Sequence, residues 1–161
     1  MKCKKFFAAA AACLMVAGFA ACGNEPTPVN PDEKVFQIGI CQLVEHPALD
    51  EATRGFQEFL TEKLGDRVQF SVQNAQGEQT NCTTIVNQFV AAKVDLIMAN
   101  ATNAVKAARE ATSDIPIVGT SVTDYVSSGL VASNEAPGAN VTGASDMNPV
   151  NVQVDLMKTL C

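Results

Sequence analysis

The sequence predicts an α/β domain, a doubly wound, flavodoxin-like parallel sheet of about five strands with helices on both faces. Three observations carry this. Short apolar runs alternate with longer segments whose apolar residues recur at helical spacing. Most of the runs are nearly continuous in apolar character, as strands covered on both faces are. The second run instead alternates apolar with polar, which places it at a sheet edge in the order 2-1-3-4-5.

The elements follow in order. "VFQIGIC" (35–41) is β-branched and apolar, and reads as a covered strand. A helix spans 47–64, with Leu49, Ala52, Phe56, Phe59 and Leu60 on one stripe, Pro47 in the first turn and Gly65 as the stop. "RVQFSVQ" (67–73) points Val68, Phe70 and Val72 one way. A second helix over 79–92 carries Cys82, Ile85, Val86, Phe89 and Val90. "VDLIMA" (94–99) is a third strand, and a third helix over 102–112 presents Ala104, Val105, Ala108 and Ala111. "IPIVGT" (115–120) is a fourth strand, with Pro116 tolerable only near its start. "NVTGAS" (140–145) is a short fifth, and Asn148 and Pro149 then cap a last helix carrying Val150, Val154, Met157 and Leu160. The alternation calls for right-handed crossovers.

Ahead of this domain stands "MKCKKFFAAAAACLMVAGFAACGN". Lys2, Lys4 and Lys5 form a basic head, and the apolar run over 6–21 is too short for a spanning helix and ends in small residues, as a secretory signal does. "FAAC" at 19–22 resembles the bacterial lipoprotein box, with Phe19 where leucine is usual. That likeness implies a signal peptide over 1–21 and diacylation at Cys22, with an ordinary cleaved signal or a buried helix as the alternative. Residues 22–34 are rich in proline and polar residues and read as a tether. The folded domain is therefore expected over 35–161.

Loss of the signal removes three of eleven basic residues and leaves eight against seventeen acidic ones, a net charge of −9. Such a surface argues against nucleic-acid binding, which needs clustered Lys and Arg. Of six cysteines, Cys3 and Cys13 leave with the signal and Cys22 takes the lipid. Cys41, Cys82 and Cys161 remain without C-x-x-C spacing, so neither a disulfide nor a zinc site is expected. The glycine-rich phosphate motifs, the nucleophile elbow and H-E-x-x-H are absent from the sequence. No cofactor, metal site or catalytic residue is expected.

In an open α/β sheet a ligand sits outside the carboxyl ends of the strands. Those loops are "QLVEHP", "NAQGEQTN", "NATN", "TSVTDY" and "SDMNP", all polar. Three lead straight into helices, whose free N–H groups favour a carboxylate, while Asp124 and Asp146 offer negative charge to an ammonium. Both features together suit a zwitterion. His46, the sole histidine, is either a solvent-facing residue at the start of the first helix or a hydrogen-bond donor in the cleft. Asp124 is either a turn residue or a ligand contact, and Thr102 reads as the cap of the third helix.

Longer stretches carry a resemblance. "GICQLVEHPALDEATRGFQEFL", "NAQGEQTN", "FVAAKVDLIMANAT", "DIPIVGTSVTD" and "GLVASNEAPGANVTGASDM" together resemble the substrate-binding lipoproteins of ABC transporters, in the branch of tryptophan- and tyrosine-type receptors. Members have two α/β lobes that close over a small ligand, usually an amino acid. The resemblance implies that this chain is the N-terminal lobe of an exported receptor, held by its lipid on the outer face of the bacterial cytoplasmic membrane or in the periplasm. Its partners would be a small solute and the permease and ATPase subunits of the transporter. Carried over by position, Gln42, Glu45 and His46 would line the cleft, with Asn74, Ala75, Gln76, Thr102, Ser121, Val122, Thr123, Asp124 and Asp146. Tyr125, standing where proline is common, would stack on a ligand or cover the loop. The family's chain runs about twice as far, so the second lobe is expected to be missing here. A small flavodoxin-like enzyme or signalling domain is the rival from another class, and a non-functional receptor fragment is a third reading.

Overall fold

The computed structural model describes residues 34–160, so the signal peptide, Cys22, nearly all of the tether and Cys161 lie outside the described residues. The chain runs β1 (Phe36–Gln42), α1 (Pro47–Leu64), β2 (Val68–Asn74), α2 (Gln79–Ala92), β3 (Leu96–Asn100), α3 (Thr102–Ala111), β4 (Ile117–Val122), β5 (Val141–Ser145) and α4 (Val150–Leu160). The five strands form one sheet of order β2-β1-β3-β4-β5, parallel throughout. This is the expected doubly wound order with the alternating strand at one edge.

Side-chain alternation divides the sheet into two faces. Ile38 and Ile40 of β1 join Val68 and Met98 under Phe56, Leu60 and Leu64 of α1. On the opposite face Cys41, Ile97, Ala99 and Ile117 pack with Cys82, Ile85, Val86 and Phe89 of α2 and Ala104, Val105 and Ala108 of α3. Burial of each such aliphatic side chain contributes about 1.5–3 kcal/mol. Close approach replaces side chains at two places on this second face. A Cβ on Gly39 would meet the Phe89 ring at 2.6 Å, and one on Gly119 would meet the Tyr125 hydroxyl at 2.6 Å and Val105 Cγ2 at 2.9 Å.

Local differences from the sequence expectations have physical causes. β1 extends to Gln42 because Gln42 still pairs with both Asn74 and Asn100. β4 begins after Pro116, which has no N–H to give the ladder; its carbonyl still accepts from Ile97 at 2.9 Å. Val72 stays 48% exposed, because it lies near the open end of the edge strand. Thr102 does not cap α3: the cap position is Ala101, at φ 93°, ψ 154°, and no side chain hydrogen-bonds there. α1 does receive a side-chain cap, from His46, whose Nδ1 accepts from Ala48 N at 3.2 Å.

Helix α4 differs most. It forms as expected, yet every one of its residues is exposed, Val150 at 63% and Leu160 at 76%. At 100° per residue, its apolar side chains Val150, Val152, Val154, Leu156, Met157 and Leu160 cover an arc of roughly 200°. That is wider than the stripe of a surface helix and suits one that is covered on more than one side. Among the described residues nothing covers it.

Two glycines should respond oppositely to alanine. A Cβ on Gly143 would collide with the Gly119 carbonyl oxygen and the Tyr125 hydroxyl, and the first is backbone that cannot move aside. Gly55, inside α1, has nothing within 4 Å of an added Cβ. Gly143→Ala is expected to lower stability by about 1–3 kcal/mol, and Gly55→Ala to raise it by about 0.5–1 kcal/mol. Urea unfolding followed by circular dichroism checks both signs.

Candidate functional site

The carboxyl ends of all five strands meet at one rim, and α1, α2 and α3 start there. Backbone strain is concentrated at this rim. Of the four non-glycine residues with positive φ among those described, three follow or end successive strands: Gln76 (55°) after β2, Ala101 (93°) after β3 and Ser121 (55°) in β4. The fourth, Lys93, simply ends α2. Ala101 holds a conformation that normally requires glycine, and such residues cost about 1–3 kcal/mol each. Ser121 lies where the β4–β5 register shifts between Gly119 and Val122, which turns the strand end out of the ladder. Strain of this kind persists where surrounding structure over-determines it, typically at ligand sites.

The first rim loop is fastened from below. Gln42 is only 4% exposed. Its Nε2 donates to Val44 O at 2.9 Å and Asp50 Oδ1 at 2.6 Å, and its Oε1 accepts from Thr53 Oγ1 at 2.7 Å. Asn100, fully buried, donates from Nδ2 to Leu49 O at 2.8 Å and to Thr53 Oγ1 at 3.0 Å. Carbonyl and carboxylate acceptors fix the direction of both amides, so Asn100 Oδ1 is left facing no donor among the described residues. A buried unpaired acceptor costs about 1–3 kcal/mol. Gln42 thus points toward the α1 layer, where its side chain is tied to Val44, Asp50 and Thr53.

Glu45 and His46 stand exposed on this loop. His46 stands at the start of α1, where its Nδ1 accepts from Ala48 N. In the second loop, Asn74 Oδ1 accepts from Gln76 N at 2.7 Å, and Gly77 N donates to Leu43 O at 2.7 Å, tying the two loops together. Ala75 is fully buried; it contributes through its backbone, donating to Gln42 O at 2.8 Å, and its side chain belongs to the core. Val122 is likewise fully buried, so neither of these two lines a surface as expected. Ala75 directly follows β2, and the register shift between Gly119 and Val122 turns Val122 onto the same core face as Ile117.

At the other end of the rim, Asp124 serves a turn. Its Oδ1 accepts from Val126 N and Ser127 N, each at 3.0 Å. The backbone N–H and hydroxyl of Ser127, with the Val126 N–H, hold its carboxyl below the usual carboxylate range. Tyr125 does not stack outward. It is 6% exposed, its hydroxyl donates to Ala144 O at 3.2 Å, and burial, helped by the Asp146 charge, pushes that hydroxyl up to about 12. Burial, then the nearby Cys82, likewise pushes the Cys41 thiol up to about 12, so it offers no thiolate.

Two depressions open on this end of the sheet. One, of about 750 Å³, is lined by Thr123, Asp146, Met147, Asn148, Pro149, Val150 and Asn151. The other, of about 240 Å³, includes Gln42, Asp50, Thr53 and Asn74. The expected residues are therefore not gathered into one pocket: Thr123 and Asp146 share the first, Gln42 and Asn74 the second. Glu45, His46, Gln76, Thr102, Ser121 and Asp124 line neither. Met147, Asn148 and Pro149 belong to the rim loop "SDMNP" expected from the sequence, while Val150 and Asn151 escaped sequence reasoning because they read as the first turn of a capped helix. Asp50 and Thr53 escaped it because they lie inside α1 and meet Gln42 and Asn100 only when that helix packs on the sheet. No group of three or more His, Cys, Asp or Glu among the described residues is placed to hold a metal.

Comparisons with known proteins agree with this geometry. Residues 37–161 match the family described as ABC transporter substrate binding protein. A curated relative, the tyrosine-binding protein of Clostridioides difficile (strain R20291), is 47% identical over 131 residues, which are 80% of this chain and 38% of that protein. Among solved structures, the ligand-free, open form of a substrate binding protein with adhesive properties from Clostridium difficile aligns with TM-score 0.74 and 43% identity, over 78% of this chain and 43% of that one. The ABC domain from Streptococcus pneumonia in complex with L-Trp aligns with TM-score 0.72 and 38% identity, over 76% of this chain and 42% of that one. The chain spans about two fifths of the length of these relatives. With one family covering nearly the whole described domain, this chain belongs to the ABC transporter substrate-binding proteins.

Proposed function

We propose that this chain is the N-terminal lobe of an extracytoplasmic receptor that captures an amino acid, preferably an aromatic one, and presents it to the permease and ATPase subunits of an ABC transporter. The observation that carries the reading is the rim itself, where strained Gln76, Ala101 and Ser121 meet the starts of three helices. Free N–H groups at those helix starts suit a ligand carboxylate. Asp146, in the larger depression, supplies negative charge for an ammonium. The aromatic preference rests on relatives named for tyrosine and solved with L-Trp. The role is capture, with no bond made or broken.

Helix α4 supports a second lobe. Its apolar arc of roughly 200° is that of a core helix, and further chain packing on it would supply the core it lacks. Closure of two lobes would bury the ligand and exclude water, as hinge receptors do. One lobe makes only part of the contacts, while ordering the ligand costs nearly as much as in a complete site.

The N-terminal sequence supports export and anchoring as part of this reading. A signal over 1–21 and the "FAAC" box would put the protein on the outer face of the membrane, with Cys22 acylated and the proline-containing segment as tether. Among the described residues no helix is long and apolar enough to cross a membrane.

Two measurements test these proposals. Mass spectrometry of membrane-extracted protein should find a lipid mass on the mature chain that Cys22→Ser abolishes; an unmodified, secreted product sinks the anchor. Titration calorimetry against a panel of amino acids should find millimolar affinity at best for this chain. A form extended by a second lobe should bind at least about a hundredfold more tightly, since each tenfold needs only about 1.4 kcal/mol. Asp146→Ala should weaken that binding. Micromolar binding by the chain alone would refute the half-site.

A further inference from the structure

Three polar residues are buried among those described, Gln42, Thr53 and Asn100, and all three belong to one hydrogen-bonded chain. Their placement is a consequence of register. Ile38, Ile40 and Gln42 of β1 stand opposite Leu96, Met98 and Asn100 of β3, all directed toward α1. The first two pairs are apolar and form the core under α1. The third pair, at the carboxyl end, is two amides. An apolar pair there would pack as well and leave no unpaired acceptor, whereas this arrangement retains one at Asn100 Oδ1. Buried polar networks of this sort are better suited to specifying one geometry than to adding stability.

The geometry they specify is that of the first rim loop. Asn100 accepts Leu43 N on its backbone oxygen at 3.2 Å and holds Leu49 O and Thr53 with its side chain. Gln42 holds Val44 O and the Asp50 carboxylate. Strained Ala101 follows Asn100 directly. We propose that Asn100 and Thr53 are positioning residues of the ligand site. Asn100 directly, and Thr53 through Gln42, lock the segment from Leu43 to Asp50, which carries Glu45 and His46, against the end of β3. They touch no ligand themselves. The proposal deepens the receptor reading and rests on it for the word ligand, but the lock itself can be measured without one.

The test is amide hydrogen exchange on the whole chain. Thr53→Val keeps the side-chain shape and removes the hydroxyl that links both amides, so it avoids the folding risk of Asn100→Leu. Exchange at Leu43 and Asp50 is expected to accelerate about tenfold or more, equivalent to about 1.4 kcal/mol. Val94 and Thr112, whose amides bond within the opposite layer, should change by less than about twofold, because local openings need not follow global stability. Thr53→Ser, which retains the hydroxyl, should restore slow exchange in the loop. Equal acceleration at all four amides would mean a merely structural residue and overturn the proposal. Unchanged loop exchange, or a serine variant as fast as the valine one, would overturn it too. Failure here leaves the receptor reading to its own calorimetric test.

Discussion

The pairing of β1 with β3 sets what the rest of the lobe can do. Both strands are central in a parallel sheet, so both faces must be covered and every side chain has a fixed direction. In the register Ile38↔Leu96, Ile40↔Met98 and Gln42↔Asn100, the residues on one face are a core for α1 until the last pair, where they become amides. On the other face Gly39 leaves room for the Phe89 ring, which brings α2 close to the sheet. A slip of one residue would send Ile38 and Ile40 to the wrong layer and put Gln42 against α2. The pairing is therefore specified strongly by the core and carries the rim with it.

From that frame the rim inherits two properties. It is rigid, because loops after β1 and β2 are tied by Gly77 N to Leu43 O and by Ala75 N to Gln42 O. It is also strained, with Ala101 in a backbone conformation that ordinary residues avoid. A rigid and strained edge suits capture, since little ordering of the protein is then needed when a ligand arrives. Tyr125 contributes at a distance: seated over Gly119 and Gly143, it fixes the turn that Asp124 closes through the amides of Val126 and Ser127.

Helix α4 follows other rules. The first three helices are half-buried against the sheet, while α4 has apolar residues on most of its circumference and no sheet face beneath it. Its start shares the larger depression with Thr123 and Asp146. Whatever covers α4 would thus sit beside the rim, which is the arrangement a closing cleft needs.

Strand and helix identity, strand order and the location of the rim were legible in the sequence, because periodicity and the alternating β2 are local properties of the chain. So was the family, through long matching stretches such as "NAQGEQTN" and "DIPIVGTSVTD". The roles of single rim residues were not. Gln42 looks like a polar loop residue until Val44, Asp50 and Thr53 bind its side chain, and two of these three partners reach it only because α1 folds back over the strand. Thr102 has the composition of a cap, yet Ala101's backbone sends the helix off without one. Ala75 and Val122 sit in polar loops by sequence but face the core. Composition and spacing determined which elements form and where their ends gather. Which way each side chain points at those ends was decided by the register of β1 with β3 and by the helices packed on them, since direction at a strand end depends on partners distant in sequence.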